Sequence, residues 1–255
     1  MIENGDTDVL LIATDRRVRT LTLSRPRVRN ALSKNLRDQF FGALQDADTD
    51  PSVDVVIITG ADPAFCAGLD LTEIGESTEL PDISPKWPSM TKPVIGAING
   101  PAVTGGLELA LYCDILIASA RARFADTHAR VGLMPGWGMS VRLPQKVGIG
   151  LARRMSLTGE YVSAQEALRA GLVTEVVDHH ELLPTAQRVA AAIVGSDQRA
   201  VRALLDTYHR IDTVQTAVSL CVENQAAQRW IAEISGHTVA ANRNAVLKHG
   251  RAQAY

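Results

Sequence analysis

The run Val53-Asp54-Val55-Val56-Ile57-Ile58-Thr59-Gly60 is followed within a few residues by the small-residue bend Ala64-Phe65-Cys66-Ala67-Gly68-Leu69-Asp70. Apart from Asp54 the run is apolar or β-branched at both parities. It therefore reads as a strand buried on both faces, as in a parallel sheet. Upstream, Ser33 to Asp48 carries Leu36, Phe40, Phe41 and Leu44 near helical spacing, with Ser33 as N-cap and Asp50-Pro51 as the stop. Earlier still, Val9 to Ile12 and Val18 to Leu23 read as two strands joined at Asp15-Arg16-Arg17, the second with one wet face. Strand, helix, strand is the grammar of a right-handed crossover, and it places the chain in the α/β class.

Residues 73 to 92, with Pro81, Pro85 and Pro88, read as a loop or irregular flap. Val94 to Asn99 is the next strand, followed by Gly100, Gly105 and Gly106, and then by a buried helix from Leu107 to Tyr112. Asp114 to Ala118 is another strand, and Arg123-Phe124-Ala125 a short extended piece. A Gly/Pro turn at Met134 to Gly138 leads into helical segments broken at Gly148, Gly150, Gly159 and Gly171. Val173 to Val177 is the last strand. Leu182 to Val194, Gln198 to Tyr208 and Val214 to Ile234 read as helices before a polar tail.

The chain has 255 residues, 26 basic against 28 acidic, for a formal charge of -2. That balance excludes a strongly basic nucleic-acid surface. With 46% hydrophobic and 21% charged residues it is ordinary globular composition. Cys66, Cys113 and Cys221 are scattered and fit a reducing compartment. The acidic start does not resemble a secretory signal, and no apolar run has the length of a membrane span, roughly 18 residues. The expectation is a cytoplasmic protein without membrane insertion.

Several motifs fail on inspection. Gly100-x-x-x-x-Gly105-Gly106 lacks the Lys-Ser/Thr of a phosphate loop, and no GxGxxG opens the first crossover. The glycines of Gly136-x-Gly138-x-Ser140 stand one position off the spacing of a nucleophile elbow. The six histidines form no recognised metal spacing, so no metal is expected; His179-His180 reads as a wet turn.

Two features survive: the 64–70 bend, and Thr104-Gly105-Gly106-Leu107-Glu108, where glycines open an apolar helix bearing a carboxylate. Glycines let backbone pass close to a ligand, and free N–H groups of a first helical turn hold an anionic oxygen. Two such donors from separate loops would form an oxyanion hole. Glu108 has two readings: a carboxylate interacting with the helix dipole or a salt-bridge partner, or a buried, perturbed acid/base.

At these segments the chain resembles the crotonase superfamily, whose best-known members are the enoyl-CoA hydratases. The resemblance spans residues 8 to 235. Its blocks are Ser24-Arg25-Pro26 with Asn30-Ala31-Leu32, the segment 64–71, Lys92 to Gly100, and Gly105 to Ala110. Cys113-Asp114, Leu157-Thr158-Gly159, Ala167 and Ala170 to Val173 complete it. The resemblance implies a crotonase-like spiral of ββα units over residues 1–195, with a C-terminal helical trimerisation region over 196–255. It also implies assembly as a homotrimer or a dimer of trimers, an acyl-CoA thioester as substrate, and no cofactor beyond the coenzyme A of that substrate. Carried over, the oxyanion donors are Ala67 and Gly105. Ala64, Phe65 and Cys66 then run beside the CoA adenine, while Gly68, Leu69 and Asp70 line the thioester approach. Lys248, Arg251 or Arg243 would meet the CoA phosphates.

A typical hydratase uses two glutamates. The first is kept as Glu108; at the second position this chain has His128, within Asp126-Thr127-His128-Ala129-Arg130-Val131-Gly132-Leu133-Met134-Pro135-Gly136-Trp137-Gly138. That block resembles an actinobacterial subgroup labelled enoyl-CoA hydratase. The pair implies hydration of a trans-2-enoyl-CoA, with Glu108 activating water and His128 donating to Cα. Asp126 would orient His128 or lie on the opposite face, and Thr104 would offer a hydroxyl near the water. The alternatives are another reaction of the superfamily, double-bond isomerisation or thioester hydrolysis, and acyl-CoA binding with negligible catalysis. Trp87, Trp137 and Trp230 line the acyl pocket or fill core and interface.

Overall fold

The computed structural model describes residues 9–76, 87–233 and 236–253. The acidic start, and residues 77–86 of the segment read as a flap, lie outside the described residues. Strands β1 (Leu10–Asp15) and β2 (Val18–Leu23) form an antiparallel hairpin, with Arg16 and Arg17 at φ 45° and 68° in the turn. Ser33 caps α1 (Lys34–Thr49) by accepting the Leu36 N–H at 3.2 Å. The chain returns in β3 (Val55–Gly60), parallel to β2. Then follow α2 (Leu71–Glu76), β4 (Val94–Ile98), β5 (Pro101–Val103), α3 (Gly105–Tyr112) and β6 (Ile115–Ser119). Next come β7 (Arg123–Ala125), α4 (His128–Val131), α5 (Met139–Val147), α6 (Ile149–Thr158), β8 (Val162–Ser163) and α7 (Ala164–Arg169). The described chain closes with β9 (Glu175–Val177), α8 (Leu182–Val194), α9 (Gln198–Glu233) and α10 (Gly236–Gln253).

A six-stranded sheet has the order β1-β2-β3-β4-β6-β9, parallel throughout except for the opening hairpin. All of β3 is buried, and its parities divide between two cores. Val56 and Ile58 join Leu36, Phe40 and Leu44 of α1 on one side. Val55 and Ile57 meet Leu182, Ala186 and Ala190 of α8 on the other. This double cover explains the lack of polar alternation in the sequence. A second sheet of order β5-β7-β8 carries the elements around α3 and α4. Together these give the α/β crotonase-like architecture expected.

The differences from the sequence reading have local causes. Strands β5 and β8 are too short to show a two-residue period. Helix α2 extends into the start of the stretch read as irregular. His128, placed on a strand-turn segment, begins the single turn α4. Gly150 lies inside α6 rather than at a break. Helix α9 runs unbroken through residues 209–213, because His, Ile, Asp and Thr are weak helix formers that cost only tenths of a kcal/mol each. The polar tail is helical as α10, which packs on α2 and α4.

The bend after β3 meets the second sheet at a close approach. Cys66 bridges Ala102 of β5, and the Val103 N–H donates to the Cys66 carbonyl at 2.9 Å. A Cβ added at Gly106 would lie 2.2 Å from that carbonyl oxygen. Gly106→Ala should therefore destabilise the fold by about 1–3 kcal/mol, which thermal unfolding followed by circular dichroism would read. An unchanged midpoint would refute the contact.

Candidate active site

Asn30 assembles the bend. At φ 57° and fully buried, it donates from Nδ2 to the carbonyls of Ala61 and Ala64, both at 2.7 Å, and accepts the Arg25 N–H at 2.9 Å. Arg25 in turn donates from Nη1 to the Ala31 carbonyl at 2.6 Å and to Asp70 at 2.9 Å. The blocks 24–32 and 60–70 are thus one unit, and Asp70 is held in an ion pair.

The two expected donors separate here. The Ala67 N–H is committed to the Arg29 carbonyl at 3.0 Å. Gly68, at φ 91°, turns the chain, and the next N–H, that of Leu69, has no partner among the described residues. Opposite it the first N–H of α3, from Gly105, is also unpartnered among the described residues; a Cβ on Gly105 would lie 3.6 Å from the Leu69 nitrogen. Thr104 precedes it with φ 54°, held by its N–H on the Ala125 carbonyl at 2.8 Å. Its hydroxyl lies 2.5 Å from that of Thr127, so it serves its neighbour.

Glu108, one turn into α3, is buried and accepts the Trp137 N–H at 2.9 Å and the Met139 N–H at 3.3 Å on Oε1. Its Oε2 faces His128 Nε2 at 3.7 Å. The other ring nitrogen, Nδ1, is 2.7 Å from Asp126 Oδ1, which also accepts the His128 N–H at 3.1 Å. Asp126 therefore orients the ring. Burial raises the Glu108 carboxyl to about 7; His128 opposes the rise, and Glu223 adds to it. Burial alone would lower the His128 imidazolium, but the Asp126 hydrogen bond and the Glu108, Asp126 and Glu223 charges outweigh it and hold it above the usual value. Burial likewise opposes ionisation of Asp126, yet the His128 hydrogen bond and charge keep it below the usual carboxylate range.

A cavity of about 450 Å³ brings together Ala64, Ala67, Leu69, Asp70, Thr104 and His128. Phe65 and Cys66 instead face the core, and Glu108 lies one side chain deeper, behind His128. Arg27 and Arg29 from the bend side, and Arg243 and Arg251 from α10, line the same cavity; Lys248 does not. Arg27, Arg29, Thr127 and Glu223 escaped the sequence reading. Arg27 and Arg29 flank the Asn30 block, which was the available signal; Glu223 offered none, being one of four acids along a long helix. Trp87 stacks on Tyr112 at 4.2 Å and meets Trp137 edge-on at 6.0 Å, so both belong to an aromatic cluster beside α3. Trp230 donates to the Gly132 carbonyl at 2.9 Å.

Away from this cavity, His179 and His180 lie on a short 3-10 turn with no buried residue, His180 exposed and His179 bonded to Ser119 at 3.1 Å and to Asp62 at 3.0 Å. Among the described residues no group of His, Cys, Asp and Glu could hold a metal ion.

Residues 13–238 match the family described as enoyl-CoA hydratase/isomerase. The chain belongs to that family. It is 38% identical to the 2,3-dehydroadipyl-CoA hydratase of Escherichia coli over 223 residues, covering 85% of this chain and 88% of that protein. Crystal structures titled enoyl-CoA hydratase from Mycobacterium tuberculosis and Mycobacterium avium are 73% and 71% identical, each with a TM-score of 0.85. They cover 88% and 89% of this chain, and 99% and 98% of their own. The likeness to an actinobacterial subgroup is met by these mycobacterial proteins. As a family member, the chain departs from the two-glutamate pattern by coupling Glu108 to an imidazole that is itself held by Asp126.

Asp126→Asn removes the carboxylate that raises His128. The His128 midpoint should fall in a histidine NMR titration, and an unmoved midpoint would show that Asp126 does not hold the imidazolium.

Proposed function

We propose that this chain is an enoyl-CoA hydratase-type lyase that adds water across the double bond of a trans-2-enoyl-CoA thioester. One observation carries the reading: the Leu69 and Gly105 N–H groups, without partners among the described residues, converge beside a buried Glu108–His128 pair. The chain's likeness to the mycobacterial enoyl-CoA hydratase structures supports it. The thioester oxygen accepts both N–H groups, Leu69 taking the role expected of Ala67. This placement lowers the energy of an enolate, because the donors are fixed where charge develops. Glu108 as carboxylate takes a proton from water while the oxygen adds to Cβ. His128 as imidazolium then delivers a proton to Cα. Return of a proton from Glu108 to His128, across 3.7 Å, restores both groups. Arg27, Arg29, Arg243 and Arg251 suit the CoA phosphates, since guanidinium binds such oxygens with paired hydrogen bonds.

Residues 1–195 then act as the catalytic spiral and 196–255 as the trimerisation region, giving a homotrimer or a dimer of trimers. Supporting this, α9 exposes Leu204, Tyr208, Ile211, Val214, Val218 and Val222 at helical spacing. Such a contiguous apolar stripe marks an interaction surface. Among the described residues no helix is long and apolar enough to cross a membrane, and a cytoplasmic location is proposed with that reading.

Hydration of crotonyl-CoA, followed by loss of enone absorbance, tests the activity. Glu108→Gln and His128→Ala should each lower kcat by about 10²–10⁴-fold while still binding the ester. The reaction needs Glu108 ionised and His128 protonated, so its rate should fall below about pH 7 and again above the raised His128 midpoint. A wild type that binds enoyl-CoA esters without consuming them would leave acyl-CoA binding as the function. For assembly, light scattering should find a multiple of three chains, and Val214→Glu with Val218→Glu should reduce it to monomer.

A further inference from the structure

The backbone from Trp137 to Ser140 runs between two buried carboxylates. The Trp137 and Met139 N–H groups donate to Glu108; those of Gly138 and Ser140 donate to Glu223 of α9, both at 2.6 Å. Alternate amides of one stretch are thus shared between a residue of the proposed reaction and one from 85 positions downstream. Gly138, at φ 101°, supplies the turn that makes this division achievable. The face of α9 that carries Glu223 is fitted to the stretch. A Cβ at Gly136 would meet Ala227 at 3.6 Å, and one at Gly138 would meet Leu220 at 3.5 Å. Elsewhere along the same backbone Trp230 holds Gly132, and α10 adds Asn242, which donates to the Val131 carbonyl at 3.1 Å.

We infer that Glu223 is a positioning residue of the hydration site: it clamps the Gly138 and Ser140 amides so that those of Trp137 and Met139 present Glu108 to His128. The inference rests on the proposed hydratase reading for the role of Glu108. Glu223 does not line the cavity, so substrate has no direct contact with it. The groups facing Glu108 are His128 of α4, Asp126 of the segment before it, and Glu223 of α9. Facing the Gly138 turn is Arg142 of α5, whose Nε would lie 3.1 Å from a Cβ on Gly138. Beyond the clamp, the negative charge of Glu223 disfavours ionisation of Glu108.

The test uses Glu223→Gln, which removes the charge and one of the two acceptor oxygens that hold Gly138 and Ser140, and Glu223→Ala, which removes the whole clamp. Glu223→Gln should move the acid limb of the kcat profile to lower pH and leave KM for crotonyl-CoA unchanged. Glu223→Ala should lower kcat by about 10²-fold, the scale of a misplaced catalytic group, again with KM unchanged. The Glu108 carboxyl band, assigned in the infrared spectrum with Glu108→Gln, should titrate at lower pH in Glu223→Gln. That readout needs no turnover, so it stands even if the hydratase reading fails on the wild type. A purely structural Glu223 would lower the unfolding midpoint and leave both the limb and the band in place. An unmoved or upward-moved limb and band in Glu223→Gln would overturn the inference, and should Glu223→Ala not fold, this variant alone decides it.

Discussion

The contact between Gly106 and the Cys66 carbonyl sets the geometry on which the rest depends. It lets the 64–70 bend and the start of α3 approach closely enough for two peptide N–H groups to share one ligand oxygen. Neither partner could make the contact alone. Asn30 ties the bend to the carbonyls of Ala61 and Ala64, and Pro101 accepts the N–H groups of Phe65 and Cys66. The donors are therefore fixed by backbone, and they need no reorganisation when charge arrives on the oxygen.

Onto that rigid frame the chain places groups whose charge is easily moved. Burial makes Glu108 a reluctant anion, and the nearby imidazolium only partly relieves the cost. A carboxyl poised near neutrality can give up and regain a proton within one cycle. His128 is poised from the opposite direction, since Asp126 favours its protonated form against the same burial. A glutamate at position 128 would place a third acid beside Glu108 and Asp126, and Asp126 would lose its cationic partner. Asp126 and His128 are thus a physical pair, each making the other tolerable in a buried site.

Legibility in the sequence followed from where the deciding interaction lies. Strand β3, helix α1 and helix α3 were legible because their burial is written in their own residues. Strands β5 and β8 were not, since two or three residues cannot display a period. The choice between Ala67 and Leu69 was hidden in the turn at Gly68, because successive peptides of a bend point their N–H groups differently. The blocks that gave the family also gave Glu108 and His128, but residue types alone did not show that Phe65 and Cys66 point into the core. Glu223 depends on a contact across 85 positions, and nothing around it in α9 marks one glutamate from another.

The division of labour along the chain then differs from its division in topology. Residues beyond 195 add no strand among those described, so by topology they are an appendage to the spiral. Yet α10 contributes Arg243 and Arg251 to the cavity, and α9 brings Glu223 to the backbone that holds Glu108. A buried carboxylate needs donors, and the first turn of a helix has more free N–H groups than one side chain can occupy. At α5 two carboxylates from opposite sides use that surplus, one for chemistry and one for position. The helical region is therefore coupled to the reaction centre through hydrogen bonds to the same peptide stretch.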